Sequence, residues 1–255
     1  MSPKFADLSA ALSRIVFPLD GNKAQALAWA EELGSLVGVL KIGLELYAQA
    51  GPSIVKEVKD LAPKAQIFLD LKLHDIPATV AGAAAVAPTL GVDYLTVHAQ
   101  AGIAALKAAV KAAFPVKILG VTLLTSLDPL DLPELAPAYQ EPGQYALLLA
   151  QRAGEAGCPG LVCSPQEIAL FRGSLPSNPL LFVPGIRPLE ANIASAIPDS
   201  AIHNSAILND DQKRVGDPAG AIKAGADYLV IGRPIRGASD RRLAAQNIAR
   251  EMLLV

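Results

Sequence analysis

Short apolar runs alternate with segments of helical period along almost the whole chain. Residues 15–20, 37–42, 66–73, 93–98, 116–125, 160–164, 180–187 and 227–233 are rich in Val, Ile, Leu and Phe and read as strands. Between them, residues 23–34, 52–61, 77–90, 101–113, 144–156, 166–172 and 218–224 read as helices. A short helix leads over 6–13 and another closes the chain over 240–254. Within 23–34 the apolar positions Ala26, Leu27, Ala30 and Leu33 recur at three- and four-residue spacing, and Pro52 suits the first turn of its helix. Strands alternating with helices predict a parallel sheet. The count of eight predicts a closed (β/α)8 TIM barrel, α/β in class, as a single domain over residues 1–255. An open doubly wound sheet is the alternative, but no Gly-x-Gly-x-x-Gly follows a strand.

The third run breaks the apolar pattern. Phe68-Leu69-Asp70-Leu71-Lys72-Leu73-His74-Asp75-Ile76-Pro77 carries charge inside an otherwise apolar strand. With period two, Leu69, Leu71 and Leu73 share one face, and Asp70, Lys72 and His74 the other. At about 3.3 Å per residue, Asp70 and Lys72 start roughly 7 Å apart, within reach of each other's tips. Such a face is costly to bury unless its charges are paired or used. A structural ion pair and a reactive site both satisfy that requirement.

Most of the other strands also end in a polar residue: Asp20, Lys41, His98, Thr125, Ser164, Arg187 and Arg233. Each has a plain reading of its own. His98 alone reads as a hydrogen-bonded core histidine, and Asp20 or Asp75 as a helix cap. A barrel gathers its strand ends on one face, where barrel enzymes place their active sites, so the joint occurrence predicts a catalytic face. Gly232-Arg233 at the eighth strand suits a phosphate: glycine permits close approach and arginine supplies a planar fork. Gln212 offers a further neutral donor, although the run around it also reads as a solvated charged loop. Two long connections, 126–142 and 188–211, follow strand ends on this face and are expected to act as lids.

Composition narrows the classes. The 255 residues are 52% hydrophobic and 18% charged, which excludes a disordered chain. A net charge of −2 gives no reason to expect nucleic acid as a partner. Cys158 and Cys163 lie in no metal-type or disulfide-rich spacing, the first residues lack the apolar run of a signal peptide, and no stretch approaches about 20 unbroken apolar residues. A cytoplasmic protein without a membrane span is the expectation.

The stretch from Phe68 to Pro77, with Thr79, resembles the Asp-x-Lys-x-x-Asp motif of the orotidine 5′-phosphate decarboxylase family. Pro18-Leu19-Asp20, Leu40-Lys41-Ile42-Gly43, Thr96-Val97-His98-Ala99, Leu124-Thr125-Ser126, Val162-Cys163-Ser164, Pro184-Gly185-Ile186-Arg187-Pro188, Asp211-Gln212-Lys213-Arg214 and Ile231-Gly232-Arg233-Pro234-Ile235 match that family's landmarks in order. The short motif alone is shared with related sugar-phosphate barrels. The full set is specific, and it covers most of the chain. The resemblance implies decarboxylation of orotidine 5′-phosphate to UMP, the last step of UMP synthesis, with no cofactor and no metal. It implies Lys72 as proton donor to C6, Asp70 against the substrate carboxylate, and Asp20 and Lys41 at the ribose and in a charged network. Asp75 and Thr79 would enter the neighbouring subunit's site in a homodimer. Thr125 would lie by the pyrimidine, and Arg187, Gln212, Gly232 and Arg233 around the phosphate. Residues 189–209 depart from the pattern and read as an insertion in the phosphate-side lid.

Two rival readings remain open at this stage. A metal-dependent sugar-phosphate decarboxylase or aldolase of the same barrel group places an acid on strand two, where this chain has Lys41. A non-catalytic nucleotide-phosphate-binding barrel predicts missing catalytic charges, whereas Asp20, Lys41, Asp70, Lys72 and Asp75 are all present.

Overall fold

In the computed structural model, which describes residues 5–188 and 214–254, all eight apolar runs form strands. These are β1 (Ile15–Pro18), β2 (Val39–Gly43), β3 (Gln66–Leu73), β4 (Tyr94–His98), β5 (Lys117–Val121), β6 (Gly160–Val162), β7 (Leu180–Val183) and β8 (Tyr228–Val230). Neighbours in sequence are neighbours in space, every pairing is parallel, and β8 closes onto β1 with Ile15 opposite Leu229 and Val16 opposite Val230. The expected (β/α)8 barrel is therefore present. No described helix is long and apolar enough to cross a membrane.

Strand alternation divides the core in two. Phe17, Leu40, Ile67, Leu95, Ile118, Leu161, Leu181 and Leu229 belong to the large cluster that packs against the helices. Their neighbours Val16, Val39, Phe68, Tyr94, Leu119, Phe182 and Tyr228 form a separate buried cluster. Adjacent residues on one strand face opposite ways, so this second set fills the barrel interior. Its aromatic members interlock. Phe68 lies edge-on to Phe182 at 5.5 Å, Tyr94 edge-on to Phe182 at 4.9 Å, and Phe182 stacks on Tyr228 at 4.3 Å. The interior is thus a packed layer of rings.

Several boundaries differ from the sequence reading. β5, β7 and β8 end earlier than expected, leaving Thr125, Arg187 and Arg233 beyond them. After Val183 the chain meets Pro184, which has no N–H to donate, and then Gly185 at φ 77°. Arg233 opens a four-residue helix, Arg233–Arg236. A helix not expected from sequence, Leu44–Ala50, follows β2 directly, with Gly43 as an N-cap that supplies no side-chain bond. The connection 126–142 contains a helical turn, Leu132–Leu135, and buries Leu132 and Ala136 in the core. Most of the other expected lid, residues 189–211, lies outside the described residues.

Gly38 shows how closely the elements approach at the strand entrances. A Cβ there would sit 1.9 Å from the carbonyl oxygen of Ser13. Its N–H donates to Leu12 O at 3.1 Å and its own carbonyl accepts from Gln66 N at 2.9 Å, so the peptide is held from both sides. Gly38→Ala is expected to destabilise by about 1–3 kcal/mol through overpacking, which at roughly 2–4 °C per kcal/mol lowers Tm by several degrees. Thermal unfolding followed by circular dichroism checks this.

Candidate active site

Two residues beyond the interior ring layer, the inward positions of three adjacent strands turn polar. Lys41 follows Val39, Asp70 follows Phe68, and Thr96 follows Tyr94. These side chains stand at the C-terminal mouth of the barrel, above a floor of aromatic rings.

The charges there alternate in a chain. Asp20 Oδ1 lies 3.3 Å from Lys41 Nζ, which lies 3.4 Å from Asp70 Oδ2. Lys72 Nζ donates to both oxygens of Asp70, at 3.0 and 2.9 Å. Thr96, fully buried, donates its hydroxyl to Asp70 Oδ1 at 3.0 Å and accepts the backbone N–H of Lys72 at 2.9 Å. Asp70 thus faces two ammonium groups and a hydroxyl, and the backbone N–H of Lys72, two residues on, is tied to that same hydroxyl. Gly43 leaves the room this needs: a Cβ there would come within 3.0 Å of Lys41 Nζ and 3.1 Å of Asp20 Oδ1.

Simple alternation does not carry β3 through this site. Phe68 and Leu69 pair with Tyr94 and Leu95, but the next partner of Val97 is Leu73, so β3 runs four residues while β4 runs two. The slack is taken up at Lys72, whose φ is 48°. A lysine in the left-handed region costs on the order of 1–3 kcal/mol, and such strain persists only where neighbouring structure enforces it. Here the Thr96 and Asp70 contacts enforce it, and they hold the ammonium over Asp70.

Electrostatics keeps the buried members ionised. Burial disfavours the charge on Lys41, but Asp70 and Asp20 outweigh it and its pKa lies above the usual lysine value. Burial likewise disfavours a charged Asp70, yet Lys41, Lys72 and the hydroxyl of Thr96 hold its carboxyl below the usual carboxylate range.

A cavity of about 560 Å³ opens over this chain. Asp20, Lys41, Asp70, Lys72, Thr125, Arg187, Gly232 and Arg233, all expected from sequence, line it together. Gly232 also has a packing reason to be glycine, because a Cβ there would meet Pro18 Cγ at 2.9 Å. Asp75 and Thr79 are exposed and outside the cavity. Asp75 accepts the N–H of Ile76 at 2.6 Å and, among the described residues, forms no ion pair with Lys72 of its own chain. Asp75 thus lies beyond the strand end and outside its own chain's cavity. Gln212 lies outside the described residues.

Sequence reasoning missed three contributors. Thr96 was visible in principle, as the inward residue two before His98 on β4. Arg236, one helical turn after Arg233, lines the cavity and donates to the backbone carbonyl of Asp20 at 2.5 Å. Arg214 reaches the cavity wall from behind. His98 is the buried, hydrogen-bonded histidine expected: its Nδ1 accepts Gln100 N–H at 3.4 Å, and its ring stacks on His74 at 5.4 Å.

Comparison with known proteins gives a consistent picture. The family model described as Orotidine 5'-phosphate decarboxylase / HUMPS family matches residues 13–248. An orotidine 5′-phosphate decarboxylase of Anaeromyxobacter sp. (strain K) is 44% identical over 227 residues, covering 89% of this chain and 92% of the relative. One from Gloeothece citriformis is 42% identical over 243 residues, covering 94% and 97%. The crystal structure of orotidine 5′-phosphate decarboxylase from Lactobacillus acidophilus superposes with a TM-score of 0.73 at 30% identity, covering 93% of this chain and 97% of that one.

His98 gives the site a pH signature. Burial, then the proximity of His74 and Lys72, pushes its pKa down to about 4, below the roughly 6.5 of an unfolded chain. The unfolded chain therefore binds this proton first, and the stability that neutral His98 supports above about pH 6.5 is lost as pH falls towards 4. The slope from one such group reaches about 1.4 kcal/mol per pH unit. His98→Asn keeps an acceptor for Gln100, and urea unfolding between pH 7 and 4.5 is expected to show a shallower decline than the unaltered protein.

Proposed function

The chain belongs to the orotidine 5′-phosphate decarboxylase / HUMPS family, and from that membership and the geometry of its site we propose that it removes CO₂ from orotidine 5′-phosphate to give UMP, without metal or cofactor. The observation that carries the reading is the alternating chain of Asp20, Lys41, Asp70 and Lys72 at the cavity mouth. Loss of CO₂ from C6 of the pyrimidine leaves a carbanion with no electron sink. A fixed cation that also carries a proton answers both needs. Lys72 is that group in this reading: its ammonium stabilises the developing charge and then delivers the proton to C6.

Asp70 stands against the substrate carboxylate. Two like charges at about 4 Å, at an effective dielectric constant near 20, repel by about 4 kcal/mol. The depressed pKa of Asp70 supports this role, since the group stays anionic. Asp20 and Lys41 hold the ribose side and fix Asp70 in turn. Thr125 faces the base, and Arg187, Gln212, Gly232 and Arg233 surround the phosphate. Binding energy gathered there, remote from C6, organises the reacting end, and the connections after β5 and β7 close over it.

Lys41 argues against the metal-dependent alternative. Its ammonium already lies between the carboxylates of Asp20 and Asp70, the space a divalent ion would need. The exposure of Asp75, Thr79 and Ile76, the last 65% exposed, supports a homodimer in which Asp75 and Thr79 complete the partner's site.

The purified protein is expected to convert orotidine 5′-phosphate to UMP undiminished by EDTA, followed by loss of the orotate absorbance. A folded Lys72→Ala variant is expected to lose about 10³-fold or more in kcat; near-normal turnover would remove Lys72 from its role. Refolding an equal mixture of Lys72→Ala and Asp75→Asn chains, each inactive alone, is expected to restore about a quarter of the activity, because half the dimers are mixed and each of those has one intact site.

A further inference from the structure

Arg214 and Glu167 form an ion pair in which neither residue is more than 4% exposed. Neither was assigned a role by the chemistry above. Two desolvated charges cost several kcal/mol each, and an apolar pair of similar volume often serves folding as well or better. The pair therefore calls for an account other than stability, and its contacts supply one.

The two branches of Arg214 end on different elements, one on the cavity wall after β5 and one on Glu167 behind the end of β6. Nη2 donates to the carbonyls of Leu123 and Leu124, both at 2.9 Å. Those residues, with Thr125, line the cavity after β5. Nη1 donates to Glu167 Oε1, and Glu167 Oε2 accepts the N–H of Ser164 at 2.9 Å, which anchors the pair to the chain just after β6. Two residues on, Gly216 N–H donates to Gly185 O at 3.0 Å and Gly216 O accepts from Arg187 N at 2.8 Å. The short segment 214–216 thus joins the wall that carries Thr125 to the wall that carries Arg187. A guanidinium is suited to this because its planar fork meets several acceptors at fixed angles, which an ammonium cannot do.

We propose that Arg214, braced by Glu167, is a positioning residue: it sets the spacing between the base side of the cavity at residues 123–125 and the phosphate side at residues 185–187. The proposal rests on the decarboxylase reading of the site. In that reaction the phosphate is bound far from the reacting carbon, so catalysis depends on the distance between the two walls. A misplacement of about 1 Å can cost on the order of 100-fold in rate.

The test replaces the pair by uncharged residues of similar size, Arg214→Met with Glu167→Gln, which keeps an acceptor for Ser164. The expected result is a folded protein with Tm close to the parent and kcat/KM for orotidine 5′-phosphate lower by about 10- to 100-fold. Competitive inhibition by inorganic phosphate should stay within about twofold, since Arg187 and Arg233 are untouched. A pair that only supports the fold would leave kcat/KM unchanged, and that result in a stable double variant overturns the proposal. Should the double variant not fold, Arg214→Lys is the second test: it keeps the charge but cannot reach Glu167 and both carbonyls, so the same fall is expected and normal kcat/KM overturns the proposal. If the parent protein itself fails to decarboxylate, the functional reading falls separately. The clamp is then judged by amide exchange over residues 123–127, expected to rise about tenfold or more in the variant as local opening becomes easier, and unchanged exchange overturns it.

Discussion

Everything at the mouth of this barrel depends on keeping one buried carboxylate charged. Asp70 is withdrawn from water, and an isolated anion there would protonate or destabilise the fold. Lys41 on one side, Lys72 on the other and the hydroxyl of Thr96 reverse that preference. The requirement then propagates. Lys72 must turn back over Asp70, which sets its left-handed backbone and the slip in pairing between β3 and β4. Lys41 must be balanced on its far side, which Asp20 does. Gly43 must be small, because any side chain there would press on Lys41 and Asp20.

The barrel itself was legible because its physics is local. Eight apolar runs separated by helical segments leave little freedom in topology once parallel pairing is inferred. The charged stretch on β3 was legible for the same reason: period two places Asp70 and Lys72 on one face of a strand. Strand ends were harder to read, because a strand stops where its partner stops and not where its own apolar run ends. β5 illustrates this, with Thr122 still bonded to Val162 at the last residue of β6 and Thr125 left beyond the ladder.

Arg214 shows the other limit. Its nearest polar partners are 47 residues away at Glu167 and about twice as far at Leu123 and Leu124, separations of 91 and 90. Inside the acidic and basic run Asp210-Asp211-Gln212-Lys213-Arg214 it looks like one more solvated charge. Only the closed barrel brings it against carbonyls after β5. Asp75 illustrates the reverse case: close to Lys72 in sequence, it points away from it because the chain leaves the barrel after Leu73.

The ring layer beneath the site has its own consequence for turnover. Phe68, Tyr94, Phe182 and Tyr228 interlock, and the cations of Lys117 and Arg14 lie over the outer two rings, Tyr94 and Tyr228. The barrel is therefore a blind-ended vessel, with traffic through one opening. Lys72 stands at the mouth of that vessel, on the side from which solvent and any bound molecule enter. In the proposed reaction, the return of a proton to Lys72 and the release of product would therefore share a single route to solvent.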